Sequence, residues 1–109
     1  MYPYYIIRER YPNVKEITFR VIEVYGNKER IGKKSSLSPE SSTNFFEKCP
    51  MSKCIGTNTG IYYKSVIDDM VMRKETKRQV KLPCSGYGGY NKVFRCEWYI
   101  TYNIEITYL

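Results

Sequence analysis

Histidine is absent from all 109 residues. That absence removes the commonest general base and the imidazole metal ligand, and it excludes every His-based triad. Alanine is absent too, while Tyr occurs 12 times. An Ala-free chain rich in Ile, Lys, Tyr and Asn is what an AT-rich genome encodes, so part of the Tyr excess is expected from mutational bias. The rest suits strands, where aromatic and β-branched residues pack well. No apolar run approaches the roughly 18 residues that a membrane span requires. No apolar secretory leader follows Met1 either, which makes the cytoplasm the expected location. Acidic charge is in deficit, with 18 Lys plus Arg against 11 Asp plus Glu and a formal net charge of +7. Convergent carboxylates are missing as well. Asp68 and Asp69 are neighbours roughly 100° apart on a helix, so they do not meet on one substrate atom.

What remains is enough for a fold. Apolar residues make up 42% of the chain, which supports a packed core, and the length fits a single domain over 1–109. Residues 1–13 are aromatic, but Pro3 and Pro12 argue against a central strand, leaving an edge strand or an arm lying on the body. From Glu16 to Tyr25 the pattern alternates: Ile17, Phe19 and Val21 point one way, and Thr18, Arg20, Ile22 and Val24 the other. Which side faces the core is ambiguous after Val21. Gly26-Asn27 signals a turn, followed by a short return strand over Lys28 to Ile31. Residues 32–44, GKKSSLSPESSTN, read as a mobile surface loop before Phe45 and Phe46 re-enter the core.

One helix is expected from Ser65 to about Thr76. Ser65 and Asp68 resemble a capping box, and Val66, Ile67, Met70 and Val71 form an apolar stripe. A short strand is expected over 80–84. The clearest signal is residues 94–108, where Phe94, Cys96, Trp98, Ile100, Tyr102, Ile104, Ile106 and Tyr108 alternate with polar positions. A strand of that length would be about 50 Å if straight, so it should bend, bulge or serve two pairings. The expected fold class is α+β: a twisted antiparallel sheet with this long C-terminal strand at its centre and one helix packed on it.

The four cysteines form two separated pairs, Cys49-Pro-Met-Ser-Lys-Cys54 and Cys84-x11-Cys96. The first spacing lies in the range of zinc ligand pairs, and the second brackets a glycine loop between two strands. Four thiolates make a closed tetrahedral shell around Zn²⁺, a structural site with no open position. Disulfides and buried free thiols are the alternatives, and an Fe–S cluster takes the same four ligands. Together with Leu82-x-Cys84-x-Gly86, and Arg95-Cys96 leading to the Tyr102-x-Ile104-x-Ile106-x-Tyr108 run, these motifs resemble the zinc-ribbon or treble-clef-like class. More narrowly, they are similar to small bacterial proteins of uncharacterised function over about residues 49–108. The resemblance implies a metal site and says nothing of activity.

Arg73, Lys74, Lys77, Arg78 and Lys81 crowd five cations into nine residues at the expected helix C-terminus. They complement the helix dipole, or they contact phosphates. Lys28, Arg30, Lys33 and Lys34 could extend such a stripe. Tyr87 and Tyr90, on the glycine loop, offer rings to bases or to a protein partner, or cover the metal. Gly86-x-Gly88-Gly89 is not a phosphate loop, because no helix and no Lys-Ser/Thr pair follow it. The leading expectation is a small zinc-stabilised, non-catalytic binding module that contacts nucleic acid or a protein. Two alternatives stand beside it. One is a protein-interaction or inhibitor factor of viral or mobile-element origin. The other is a Cys-dependent enzyme, which the absence of His disfavours.

Overall fold

The computed structural model describes residues 2–25, 28–50, 54–55, 59–88 and 94–109. The elements, in order, are β1 (Tyr5–Ile6), α1 (Ile7–Arg10), β2 (Val14–Tyr25), a 3-10 turn (Lys28–Arg30), β3 (Lys34–Leu37), β4 (Ser42–Thr43), β5 (Phe46–Lys48) and β6 (Cys54–Ile55). They continue with β7 (Gly60–Tyr62), α2 (Lys64–Met72), β8 (Lys77–Pro83), β9 (Tyr87–Gly88), β10 (Phe94–Arg95) and β11 (Tyr99–Tyr108). Antiparallel sheet dominates, and α2 is the main helix.

The core is a four-stranded sheet in the order β3-β2-β11-β8. Its register aligns apolar side chains in rows on one face. Leu82 and Val24 flank Ile100, Val80 and Val21 flank Tyr102, and Ile17 lies opposite Ile106. Ile100 and Ile104 are fully buried, each contributing about 1.5–3 kcal/mol. Helix α2 lies against this core with Ile67 and Met70 buried, while Val66 and Val71 are partly covered. The other face carries Arg20, Glu23 and Tyr25 from β2, with Tyr99, Asn103 and Glu105 from β11. There the Tyr25 and Tyr99 rings stack, with centroids 6.0 Å apart.

Several sequence expectations are corrected. Residues 94–108 form two strands rather than one. Phe94–Arg95 pairs with β9, and Tyr99–Tyr108 pairs with β2 and β8, so the segment serves two sheets. The parity ambiguity in β2 is resolved by a bulge. Thr101 lies opposite Glu23 and Tyr102 opposite Val21, leaving Ile22 as the extra residue. Val24 therefore joins Val21 on the buried face instead of opposing it. Lys28–Arg30 is a 3-10 turn, not the start of a strand. The return strand is β3, inside the segment read as a loop, and β4 in the same segment pairs with β1. Turn geometry, not apolar alternation, fixes β3. Gly32, at φ +85°, donates to the Val21 carbonyl, while the Val21 N–H donates to the Lys33 carbonyl. This is a glycine bulge. Gly26-Asn27 lies outside the described residues.

The N-terminus is both strand and arm, with the short α1 added. Ile7 is fully buried, and Tyr2 stacks on Tyr62 at 4.0 Å. Phe45 does re-enter the core. It is fully buried among Tyr5, Tyr11 and Tyr63, at centroid distances of 5.8, 6.1 and 5.9 Å.

Helix α2 begins one residue before Ser65, and its N-cap, Tyr63, makes no side-chain cap. The capping box does not form because Asp68 has other partners: Tyr11 Oη donates to it at 2.5 Å, Lys64 Nζ at 2.8 Å and Arg10 at 3.2 Å. The helix ends at Met72, short of Thr76. Lys74 enters the left-handed region at φ 55°, its N–H donates to Val71 at 3.1 Å, and the Glu75 N–H donates to Met70 at 2.9 Å. These are the two bonds of a Schellman cap.

Candidate metal centre

Each cysteine sits just beyond or at the start of a short strand, where the chain turns. Cys49 follows β5, Cys54 opens β6, Cys84 follows β8 and Cys96 follows β10. A small three-stranded sheet, β10-β9-β6, ties the last three regions together through Cys54 opposite Gly88 and Gly88 opposite Phe94. Backbone bonds fix the remaining approaches. Cys49 N–H donates to Thr59 at 3.1 Å, Cys84 N–H to Trp98 at 2.9 Å and Cys96 N–H to Gly86 at 2.9 Å.

The four sulfurs all lie within 4.8 Å of one another and could hold a metal ion. The closest approaches cross the sequence pairs: Cys49 to Cys96 at 3.6 Å and Cys54 to Cys84 at 3.6 Å. These separations far exceed the roughly 2.05 Å of a disulfide. Cys49, Cys84 and Cys96 are buried, and Cys54 is half-buried. Burial pushes the Cys84 thiol well above its ordinary pKa. Burial also pushes Cys54 up, but hydrogen bonds from Thr59 and the other three cysteines outweigh it and leave its pKa lowered.

Gly86 is the cradle of the site. Its N–H donates to Cys84 Sγ at 3.3 Å. A Cβ at this position would meet Cys54 Sγ at 2.3 Å and the Thr59 side chain at 2.9 Å. Only glycine lets this backbone pass so near the sulfurs. Trp98, the single Trp, is fully buried two residues after Cys96, and its indole N–H has no hydrogen-bond partner among the described residues.

The basic cluster is dispersed rather than gathered. Arg73 caps α2 and Lys74 follows it, but Lys77, Arg78 and Lys81 lie on strand β8, not on a helix end. Arg78 shares the inner side of β8 with Val80 and Leu82. It donates to Asp69 at 2.7 Å and ion-pairs with Glu75, while Arg73 reaches Asp69 at 3.1 Å. The Glu75 hydrogen bond, then the Asp69 one, hold the Arg78 guanidinium above its ordinary pKa. Lys77 lies 3.9 Å from Glu105, and Lys81 Nζ sits 4.1 Å from the centroid of the Tyr99 ring. Tyr87 contributes backbone to β9, whereas its side chain and all of Tyr90 lie outside the described residues.

Sequence reasoning missed a second polar centre. Tyr102 Oη donates to Glu47 at 2.5 Å, and Arg30 ion-pairs with the same carboxylate. The partners are far apart along the chain, so no local motif marks them. No helix among the described residues is long and apolar enough to cross a membrane. Comparison with known proteins finds no match among family models, curated sequences or solved structures.

Proposed function

We propose that this chain is a small binding module, without catalytic chemistry of its own, whose loops are pinned by a structural Zn²⁺ on Cys49, Cys54, Cys84 and Cys96. The observation that carries this reading is the pair of 3.6 Å sulfur separations. Zn–S bonds of about 2.3 Å place the sulfurs of a tetrahedral site about 3.8 Å apart. The thiolates themselves would fill the coordination shell and leave no position for water or substrate. Gly86 N–H pointing at Cys84 Sγ, and a β9–β10 hairpin between the second Cys pair, support the zinc-ribbon or treble-clef-like reading of residues 49–108. The absence of His supports the non-catalytic reading.

The partner class that the charge favours is nucleic acid. Four thiolates with one divalent ion add about −2, so the formal +7 falls to about +5 and stays positive. Arg73 and Arg78 are engaged by Asp69 and Glu75 and Lys81 lies over the Tyr99 ring, which leaves Lys74 as the freer cation of the original cluster.

Elemental analysis and native mass spectrometry test the metal. One Zn per folded chain, with four thiols that alkylate only after chelation, is expected. A folded, metal-free chain with reactive thiols would sink the proposal. For the partner, single-stranded nucleic acid should bind at low ionic strength and release as salt rises. No binding at low salt removes nucleic acid as the partner.

A further inference from the structure

The hairpin of β2 and β3 carries groups that the metal centre does not use. A cavity of about 120 Å³ opens beside it, its lining including Arg30, Lys33, Lys34, Ser35, Phe19 and Tyr63. For scale, a dry cavity of about 150 Å³ holds one benzene. This one has room for a single phosphate or a small ring. Its one carboxylate, Glu47, is already engaged by Arg30 and by Tyr102 Oη. Lys33 and Lys34 have no ion-pair partner among the described residues.

The opposite side of the same strand points the same way. Lys34 stands directly across the ladder from Arg20. Like charges so placed repel, and Arg20 also lacks a carboxylate partner among the described residues. The two line a second, smaller notch with Thr18, Asn103 and Glu105. Glu105 itself lies 3.9 Å from Lys77. The Gly32 bulge sets where Lys33 leaves the strand, so the cations are arranged by fixed backbone, not by a free loop.

We propose that the cavity beside β3 is a phosphate-binding site, in which Arg30 and Lys33 take the phosphate oxygens and the Phe19 and Tyr63 rings take the apolar group attached to them. Arg20 and Lys34 hold a further phosphate on the outer side when the ligand is a chain of them. Two sources share this chemistry, a free phosphate monoester and the backbone of single-stranded nucleic acid. The inference rests on the binding-module reading and names its ligand, but it uses none of the metal-centre residues.

The test uses the full metal-loaded chain at constant ionic strength, titrated with inorganic phosphate, phenyl phosphate and a short oligothymidylate. Amide NMR shifts and calorimetry give the readout, with chloride as the control. Saturable shifts centred on residues 19–21, 30–35 and 63 are expected, with phenyl phosphate binding more tightly than phosphate. Lys33→Ala/Lys34→Ala should weaken binding about tenfold or more, while Lys33→Arg/Lys34→Arg retains it. Binding of phenyl phosphate without the oligonucleotide identifies a monoester ligand, and salt-sensitive binding of the oligonucleotide identifies the nucleic-acid backbone. The proposal fails if none of the three probes gives a saturable shift, or if the Ala variant binds as well as the native chain. Metal content measured on the same samples separates the two readings. A loaded chain indifferent to phosphate overturns this inference alone, and a metal-free chain that binds phosphate overturns the zinc alone.

Discussion

Asp68 draws three donors, Lys64 from its own helix and Arg10 and Tyr11 from far away in sequence, and its carboxyl is the clearest electrostatic investment outside the cysteines. Burial pushes its pKa up, but bonds from Lys64, Tyr11 and Arg10 overcome that and hold it below the usual carboxylate value. A carboxyl depressed on folding contributes stability above its unfolded pKa of about 3.9, and that contribution is lost as pH falls through the folded value. Asp68→Asn should therefore cost about 1 kcal/mol at pH 7, after allowance for solvent screening. Urea melts at pH 7 and pH 3 check this, since the gap between native and variant should close at the lower pH. Gly86→Ala makes a second prediction. Its Cβ would collide with Cys54 Sγ, so Zn²⁺ affinity in a competition assay with a chromogenic chelator should fall at least about tenfold. At this scale the cysteines were legible because metal-ligand spacing is a local pattern. The Ser65–Asp68 cap was misread because the residues that claim Asp68 include Arg10 and Tyr11, far away in sequence and marked by no periodicity.

Helix α2 stops where Lys74 takes a left-handed conformation that L-residues with a side chain adopt at a cost of about 1–2 kcal/mol. Lys74→Gly should raise stability by up to about 1 kcal/mol, the gain being reduced by the extra freedom of an unfolded glycine. A chemical-denaturation midpoint reads the change, and an unchanged or lower midpoint would contradict the cap. In the central strand, Ile104→Ala should cost about 2–5 kcal/mol, because the residue is fully buried between β2 and β8. The alternation of residues 94–108 announced a strand, and its excessive length announced that it would bend, bulge or serve two pairings, of which the last is found. Alternation could not locate the break, since Cys96 and Trp98 keep the same period while the backbone leaves one sheet for another. Nor could it foresee Ile22 as a bulge residue, because a bulge shifts parity without changing composition. Strand β3, KSSL, has too little apolar character to be read at all. Its pairing follows from the Gly32 turn and the long neighbour beside it.

The whole molecule divides its stability unevenly. The four-stranded sheet has its own apolar rows and α2, whereas the β10-β9-β6 sheet consists of two-residue strands around the sulfurs. Removal of a bound metal should therefore open the small sheet first. Hydrogen exchange after chelation should show lost protection at residues 54–55, 87–88 and 94–95, with protection kept in β2 and β11. Trp98 fluorescence should shift at the same chelator concentration. Simultaneous loss of protection throughout would mean that the large sheet is not self-sufficient. The general plan of antiparallel sheet, helix and Cys cluster was readable from pattern. The positions of the charges were not, because Lys77, Arg78 and Lys81 change neighbours once β8, rather than a helix, carries them.

The spread of the sulfurs along the chain also governs when the centre can assemble. Cys49 must meet Cys96 across 47 residues. A nascent polypeptide emerging from the ribosome offers at most three of the four thiols until Cys96 itself has been made. Capture of an ion by all four thiols would thus wait for Cys96, and any truncation ahead of it would leave an unfinished coordination shell open to competing soft metals.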